Sequence, residues 1–253
     1  MKPSVLILGG FATVPPNYWP FRDRLAKRYV ERVDIAQLWP PDWALCSMLG
    51  FGTILRRTGA AIARTYHLGG RRPIIVVAHS GGGIAARMAM SPVPYHGRVA
   101  GVAPAVGCLV TLGTPHRLDA MANRYHHAGH DATEFLNRET PGAFFAPRTK
   151  YLSVGSRFPQ AAFDGVVGRL AEEVFSMILG TDSDSLGDGI VPVSAVHLDG
   201  AEQITFDDVR HGMIGTPWYG GEEIIDRWWP TATHLWQEAI TARTLSQFES
   251  SGR

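Results

Sequence analysis

Cysteine and excess charge are both scarce in this sequence of 253 residues. Its two cysteines, Cys46 and Cys108, are too few for the disulfide framework that stabilises small secreted proteins. Both lie in or near apolar segments, so we expect buried thiols. Lysine and arginine total 24 and aspartate and glutamate total 23. This balance gives no bulk electrostatic attraction to nucleic acid, and we expect no nucleic-acid partner.

Long apolar runs, internal repeats and low-complexity tracts are also missing from the sequence. No segment approaches the roughly 20 apolar residues that a membrane-spanning helix needs. The apolar run at residues 5–8 is too short for a signal peptide and continues into a predicted strand. The sequence as it stands is therefore expected in the cytoplasm, or in an organelle stroma if a presequence has been removed.

Apolar residues, by contrast, are abundant and fall into alternating segments. They make up 45% of the sequence, which is enough for a substantial core, and the length fits one α/β domain over residues 1–253. We predict strands at 5–8, 30–35, 74–78, 105–112, 150–155 and 201–206, and helices at 18–28, 53–66, 82–90, 165–179 and 222–245. Continuous apolar strands that alternate with helices favour a mostly parallel central sheet with helices on both faces.

Two stretches show no regular spacing of apolar residues. The segment from Trp39 to Trp43, with two prolines, is predicted as a loop. Residues 116–148 are rich in histidine, asparagine, glycine, proline and aromatic residues. A long irregular segment inside a compact domain is more often a functional lid or cap than a linker. We therefore predict a lid or cap insertion at 116–148.

Ser80 stands at the junction of a predicted strand and a predicted helix. A β-branched run leads into Ala78-His79-Ser80, and three glycines and a helix-forming stretch follow. Strand, abrupt serine turn and helix in this order are the context of a nucleophile elbow, in which a strained serine presents its hydroxyl over the sheet edge. Small residues two positions to either side, here Ala78 and Gly82, let strand and helix approach closely. Ser80 is the candidate nucleophile, with an ordinary turn serine as the alternative.

A serine nucleophile needs a base, and an acid must hold that base in one tautomer. His211 follows the predicted last strand and is the candidate base. Asp188, in Gly187-Asp188-Gly189-Ile190-Val191-Pro192, is the preferred acid. Asp164 is a competing acid because it lies nearer the end of the strand predicted at 150–155. The alternatives to these roles are a surface histidine and an ordinary Asp-Gly turn.

These motifs resemble those of the α/β-hydrolase superfamily, and within it the lipase and esterase branch. The order serine, acid, histidine along the chain is the order of that superfamily. A histidine before the nucleophile, the segment Leu112-Gly-Thr-Pro-His116 and the Gly-Asp-Gly-Ile-Val-Pro stretch are each similar to lipases. The resemblance covers most of residues 4–240, although its sharp motifs are confined to short segments.

The resemblance implies an α/β-hydrolase fold and hydrolysis of a carboxylic ester through an acyl-enzyme, with Ser80, His211 and Asp188 as the triad. It also implies an oxyanion hole formed by the N–H groups of Gly81 and Phe11. Phe11 lies in Leu8-Gly9-Gly10-Phe11, where glycine stands in place of the family's usual histidine. No cofactor is required. A small-molecule or lipid ester is the expected substrate, which implies a role in lipid metabolism and is compatible with transient contact with a membrane or lipid surface.

Other functions use the same machinery or the same fold. Acyltransferases, thioesterases and amidases share the triad, and one fold hosts many functions. A non-catalytic binding protein with a hydrolase fold is the alternative of a different class. Such proteins usually lack a triad member, whereas this sequence offers a candidate for each role.

Two clusters of polar residues were weighed as metal sites. The first cluster contains His126, His127, His130 and Asp131, and the second contains Asp182, Asp184 and Asp188. Neither has the ligand spacing of a known zinc or calcium motif, so no metal site is predicted. His79 is expected to be structural, and His116 to shape the pocket floor or the hinge of the lid.

Overall fold

A computed structural model of the chain describes residues 2–11, 13–118, 127–159, 186–212 and 217–251. Six of its strands form one parallel sheet in the spatial order β2-β1-β3-β4-β5-β8. These strands are β1 (Ser4–Leu8), β2 (Arg32–Ile35), β3 (Ile74–His79), β4 (Val106–Leu112), β5 (Lys150–Ser156) and β8 (Glu202–Phe206). Two short strands, β6 (Phe158–Pro159) and β7 (Leu186–Gly187), form a separate antiparallel pair.

Helices cover both faces of the sheet, as the sequence predicts. They are α1 (Trp19–Arg28), α2 (Pro40–Leu49), α3 (Gly52–Leu68), α4 (Gly81–Met90), α5 (His127–Glu139), α6 (Val193–Val196) and α7 (Glu222–Ser251), with short 3₁₀ turns at Pro15–Tyr18 and Ala103–Ala105. Alternate side chains of β1 enter different cores. Leu6 and Leu8 pack with residues of α2 to α5, whereas Val5 and Ile7 pack with residues of α1 and α7. No helix in the described part of the chain is both long enough and apolar enough to cross a bilayer.

The order of the strands fixes where a ligand can bind. β1 lies between β2 and β3, so the chain leaves β1 toward one side of the sheet and leaves β3 toward the other. In an open parallel sheet, the crevice at the carboxyl ends of the strands beside this reversal is where ligands bind. The Gly9-Gly10-Phe11 loop follows β1 and Ser80 follows β3, so both lie at this crevice.

The prediction of a loop at Trp39–Trp43 is wrong, because this segment forms the start of helix α2. Pro40 and Pro41 occupy the first turn of the helix, where the missing N–H of proline costs no hydrogen bond. The carboxylate of Asp42 accepts the Trp39 N–H at 2.9 Å and caps the helix. The two prolines therefore mark a helix start rather than a loop.

The segment at 116–148 is more regular than its composition indicates, because α5 occupies His127–Glu139. Ala128, Ala132, Phe135 and Leu136 share one face of α5 and join the core beside α2 and α4. Residues 119–126 lie outside the described part, as does the helix predicted at 165–179. The lid or cap assigned to 116–148 stays a prediction.

Candidate active site

Ser80 has the strained backbone expected of a serine at a nucleophile elbow, with φ 54° and ψ −132°. A non-glycine residue adopts this conformation only when the surrounding structure enforces it. Besides the bond from the Gly83 N–H within the turn, two hydrogen bonds to a neighbouring segment hold the Ser80 backbone here. Its N–H donates to Leu112 O at 2.9 Å, and its carbonyl accepts from Thr114 Oγ1 at 2.8 Å. Both partners lie at or after the end of β4, so the sheet fixes the turn.

The turn after Ser80 requires a small residue at position 82, as the sequence motif indicates. A Cβ on Gly82 would lie 2.8 Å from the carbonyl oxygens of Leu8 and Gly9, closer than real atoms approach. α4 begins at Gly81, so the first N–H groups of the helix and the positive end of its dipole lie next to Ser80. This arrangement favours negative charge near the Ser80 hydroxyl.

Asp188 and His211 are hydrogen-bonded side by side in the buried part of the crevice. His211 Nδ1 lies 2.8 Å from Asp188 Oδ2, and the His211 N–H donates to the carbonyl of Asp188 at 2.8 Å. A carboxylate only accepts, so Nδ1 carries the hydrogen and Nε2 keeps a lone pair that can take up a proton. The two residues that the sequence analysis paired are therefore in contact.

Four hydrogen bonds hold the carboxylate of Asp188. Oδ1 accepts the N–H groups of Ile190 at 3.1 Å and Val191 at 2.8 Å, and Oδ2 accepts from His211 and from the Tyr219 hydroxyl at 2.8 Å. Burial alone would raise the pKa of Asp188, but the His211 ring and these donors outweigh burial and hold that pKa below its usual value. Asp188 is thus a fixed anion beneath the histidine.

Tyr219 is a site residue that the sequence analysis missed. It is fully buried, and burial followed by the neighbouring Asp188 raises the pKa of its phenol well above the usual value. Its own carbonyl accepts the indole N–H of Trp228 from α7 at 3.0 Å. The Trp218-Tyr219-Gly220-Gly221 stretch indicates a tight turn, but nothing in it indicates a contact with an aspartate 31 residues earlier.

His79 connects the serine turn with the candidate base and with the loop after β1. Its Nε2 donates to the carbonyl of His211 at 3.0 Å, so its Nδ1 accepts from the Tyr18 hydroxyl at 2.9 Å. The oxygen of Tyr18 in turn accepts the Gly10 N–H at 3.1 Å. Burial, with a smaller effect of His211, lowers the pKa of His79 to about 3. His79 is a neutral structural bridge, as the sequence analysis expects.

The two predicted oxyanion donors flank Ser80. The Phe11 nitrogen lies 3.7 Å from the position that a Cβ on Gly81 would take, so the two residues are neighbours. A Cβ on Gly10 would lie 3.1 Å from Ser80 Oγ, which shows how closely the loop approaches the hydroxyl. The rings of Phe11 and Trp43 pack edge to face beside this point. The site thus combines a half-buried serine, backbone N–H groups and an apolar rim.

Ser80 and His211 occupy the same end of the sheet. The rings of His79 and His211 have centroids 4.7 Å apart, and a Cβ on Gly113, just beyond β4, would lie 3.0 Å from His211 Nδ1. A hydrogen bond from Ser80 Oγ to His211 is not among those of the described residues.

Among the remaining candidates of the sequence analysis, His116 and Asp131 have partners other than Ser80, Asp188 and His211. His116 is buried against Arg87 and Thr111. Burial, and to a smaller extent the charge of Arg87, lowers the pKa of His116 well below its usual value. Asp131 pairs with Tyr95 and His96. Asp164, Asp182, Asp184 and His126 lie outside the described residues, as does the side chain of His127. Within the described ranges, no group of three or more histidine, cysteine, aspartate or glutamate residues could hold a metal ion.

The sequence matches no protein-family model and no curated protein. Its structure, however, is similar to solved structures of lipases and esterases. Bacillus licheniformis lipase BlEst2 in mature form has a TM-score of 0.64 at 17% identity, over 93% of this chain and 92% of that one. Phospholipase PlaB from Legionella pneumophila has a TM-score of 0.60 at 13% identity, over 93% of this chain and 59% of that one.

A third similar structure is Thermogutta terrifontis esterase 2, with a TM-score of 0.52 at 10% identity, over 94% of this chain and 83% of that one. Likenesses at such low identity concern the fold. They confirm the α/β-hydrolase fold that the motifs predict, with its parallel sheet and helices on both faces. The chemistry of this chain is a separate question, which depends on its own residues.

Proposed function

We propose that the chain is a serine hydrolase that cleaves carboxylic esters through a covalent acyl-enzyme. The observation that carries this proposal is the buried hydrogen bond of 2.8 Å between Asp188 and His211, at the sheet end where Ser80 adopts its strained turn. A neutral histidine whose Nδ1–H is held by a carboxylate is a general base at Nε2. A serine beside such a base is the nucleophile of acyl transfer.

In the first half of the reaction, His211 Nε2 takes the proton of the Ser80 hydroxyl as Oγ attacks the ester carbonyl carbon. The carbonyl π bond opens, and the negative charge that develops on its oxygen is stabilised by the N–H groups of Gly81 and Phe11. The C–O bond to the alcohol then breaks, and the imidazolium of His211 gives its proton to the leaving alcohol. The acyl group remains on Ser80.

In the second half, a water molecule takes the place of the alcohol. His211 removes one of its protons as the water oxygen attacks the acyl carbon, and the same two N–H groups hold the second oxyanion. The bond to Ser80 Oγ breaks, Oγ recovers its proton from His211, and the carboxylic acid leaves. Asp188 stays ionised throughout and stabilises the imidazolium. Each step uses only groups of this chain and water.

The surroundings of Ser80 favour an ester with an apolar acyl group. The rings of Phe11 and Trp43 lie beside Gly81, and Ile190 is exposed next to Asp188. Apolar and aromatic linings with few polar groups bind apolar ligands. The solved structures similar to this fold include a lipase, a phospholipase and an esterase, which agrees with a small-molecule or lipid ester as substrate.

Hydrolysis of p-nitrophenyl esters from acetate to palmitate tests the proposal. The wild-type chain should release p-nitrophenol, and Ser80→Ala should lose that turnover. Ser91→Ala is the matched control, because Ser91 is buried and its hydroxyl hydrogen-bonds to the backbone of the nearby Val93. Turnover that survives in Ser80→Ala would place the nucleophile elsewhere. The acyl length with the highest kcat/KM would separate a short-chain esterase from a lipase.

A further inference from the structure

α2 presents apolar side chains to the outside as well as to the core. Leu45, Met48 and Leu49 are 45%, 79% and 65% exposed, and their spacing of three and four residues places them in one stripe. The opposite side of the helix buries Trp43 and Cys46. A helix that is apolar on both sides and open on one of them marks an interaction surface. We name Leu45, Met48 and Leu49 the α2 stripe.

The α2 stripe belongs to a helix that lies directly over the candidate active site. The buried Trp43 ring would lie 3.5 Å from a Cβ on Gly81, the residue after the nucleophile. The same ring packs edge to face with Phe11, the second oxyanion donor. A surface that binds the α2 stripe is therefore brought to the rim of the Ser80 crevice.

The sequence that contains and follows the α2 stripe carries positive charge without acidic residues. Between Trp43 and Leu118 the chain has no aspartate, glutamate or lysine, although the whole chain is nearly neutral. This stretch contains eight arginines: Arg56, Arg57, Arg64, Arg71, Arg72, Arg87, Arg98 and Arg117. Of these, Arg87 is buried. The acidic residues that balance the overall charge are therefore supplied by other parts of the chain.

Several cationic or titratable side chains cluster where α2 ends. Arg98 donates to the carbonyl of Gly52, the first residue of α3, at 3.3 Å. Arg56 lies four residues after Gly52 and is exposed on the same face of α3. A Cβ on Gly50, next to Leu49, would lie 3.5 Å from the His96 ring. Arg56, Arg98 and His96 thus border the α2 stripe on one side.

Two described carboxylates near this surface, Asp42 and Asp131, are already engaged. Asp42 is 8% exposed and pairs with Arg57 at 3.0 Å. Asp131 of α5 accepts from the Tyr95 hydroxyl and lies 3.5 Å from His96. Arg56 and Arg98 therefore add positive charge beside an apolar stripe, and this pairing is complementary to a layer with anionic head groups above acyl chains.

We infer that the α2 stripe with Arg56 and Arg98 docks the protein onto an anionic lipid surface. Leu45, Met48 and Leu49 enter the acyl layer, and the two arginines meet the anionic head groups. Met48 is strongly exposed, and a fluid acyl layer accommodates such a side chain without a matching groove. An acidic protein partner would have to supply a groove of matching shape. The inference deepens the proposed function and rests on it, because docking would bring lipid esters to the Ser80 crevice.

Vesicle co-sedimentation of the Ser80→Ala chain tests docking separately from turnover. Binding to phosphatidylcholine vesicles should rise at least about 10-fold when phosphatidylglycerol is included, and should fall with added salt. M48Q/L49Q should weaken binding to the anionic vesicles about 10-fold or more, because two apolar side chains no longer enter the layer. R56Q/R98Q should remove most of the preference for phosphatidylglycerol.

The matched control is L68Q/R71Q, which replaces one exposed apolar residue and one exposed arginine at the other end of α3. Leu68 and Arg71 are exposed and lie away from the α2 stripe, so vesicle binding should be unchanged. All three double variants, made with Ser80 intact, should hydrolyse a soluble p-nitrophenyl ester within about twofold of wild type, which confirms folding.

Three outcomes overturn the inference. One is no binding to either vesicle, and another is an equal loss of binding in L68Q/R71Q. The third is binding that depends on Arg56 and Arg98, ignores M48Q/L49Q and is competed fully by polyglutamate, which would assign the surface to an acidic protein. In each case, retained turnover of soluble esters by the wild-type chain would leave the proposed function standing.

Discussion

The hydroxyl of Tyr219 donates to Oδ2 of Asp188 at 2.8 Å, and the same oxygen accepts from His211 Nδ1 at the same distance. The carboxylate oxygen that accepts from the histidine is therefore also held by a second donor. Because Tyr219 bonds Asp188, we assign it as a positioning residue that acts through that carboxylate. Its phenol is fully buried.

Tyr219→Phe removes that donor and keeps the ring. A hydrogen bond to a charged group contributes about 1.5 kcal/mol, so kcat should fall about 10-fold with KM unchanged. Steady-state kinetics on one p-nitrophenyl ester measures both constants. Tyr29→Phe is the matched control, since the Tyr29 hydroxyl bonds Asp226 on the surface, and it should leave both constants unchanged. Unchanged kcat in Tyr219→Phe would contradict the positioning role.

Gly113→Ala should damage the Asp188–His211 pair directly. Gly113 has φ 56°, and a Cβ there would lie 2.5 Å from Asp188 Oδ2 and 3.0 Å from His211 Nδ1. Displacement of these groups by about 1 Å should cost about 100-fold in kcat.

Gly97→Ala separates this effect from backbone strain. Gly97 has φ 72°, and an added Cβ would meet nothing within 4 Å. It should cost about 1 kcal/mol of stability for the left-handed conformation and leave kcat unchanged. Thermal unfolding and ester kinetics measure the two quantities. Equal kcat values for Gly113→Ala and Gly97→Ala would show that the site does not depend on the space at Gly113.

Asp188→Asn decides between the two candidate acids. An asparagine amide at this position donates to His211 Nδ1 and selects the wrong tautomer, so kcat should fall by about 10⁴, the size of this effect in a worked serine-protease triad. Asp164→Asn, the same change at the competing position, should leave kcat close to wild type. A large loss in Asp164→Asn with activity retained in Asp188→Asn would reverse the assignment.

His79→Gln should flatten the dependence of stability on pH. The pKa of His79 is lowered to about 3 in the folded protein, from about 6.5 in an unfolded chain. Between these values only the unfolded state binds the proton, so acid destabilises the wild type by about 1.4 kcal/mol per pH unit through this residue. Glutamine keeps one donor and one acceptor and does not titrate.

Urea unfolding measures this effect. Relative to wild type, His79→Gln should gain about 2 kcal/mol in free energy of unfolding when the pH is lowered from about 6.5 to about 5. The sign follows from the lowered pKa: the contribution of neutral His79 is fully present above pH 6.5 and is lost on acidification. Parallel pH dependences of the two chains would contradict the bridging role of a neutral His79.

Much of this arrangement could be predicted because its parts are local in sequence. The β-branched run before Ser80 forms β3 and the glycines after it open α4, so the serine turn follows from adjacent residues. Parallel strands then carry Ser80 and His211 to one end of the sheet. Chain order together with the Gly-Asp-Gly-Ile-Val-Pro stretch paired His211 with Asp188. Asp188 is in contact with His211, whereas Asp164 lies outside the described residues, so the Asp188→Asn and Asp164→Asn variants decide between the two acids.

The rest depends on contacts that join distant segments. Tyr219 reaches Asp188 and Tyr18 reaches His79 only through the packing of several elements, which no short motif encodes. α2 was missed because its prolines stand where they indicate either a loop or a helix start. α5 was missed because histidines and charged residues surround its apolar face. These are tertiary effects that override local composition.

Labelling with a fluorophosphonate probe, followed by mass analysis of the peptides, tests the central claim most directly, because the probe reacts only with an activated serine. The folded wild-type chain should carry the probe on Ser80, and His211→Ala should lose nearly all of the labelling while it remains folded. Labelling of a different serine, or no labelling of the folded wild-type chain, would contradict the Ser80–His211–Asp188 account.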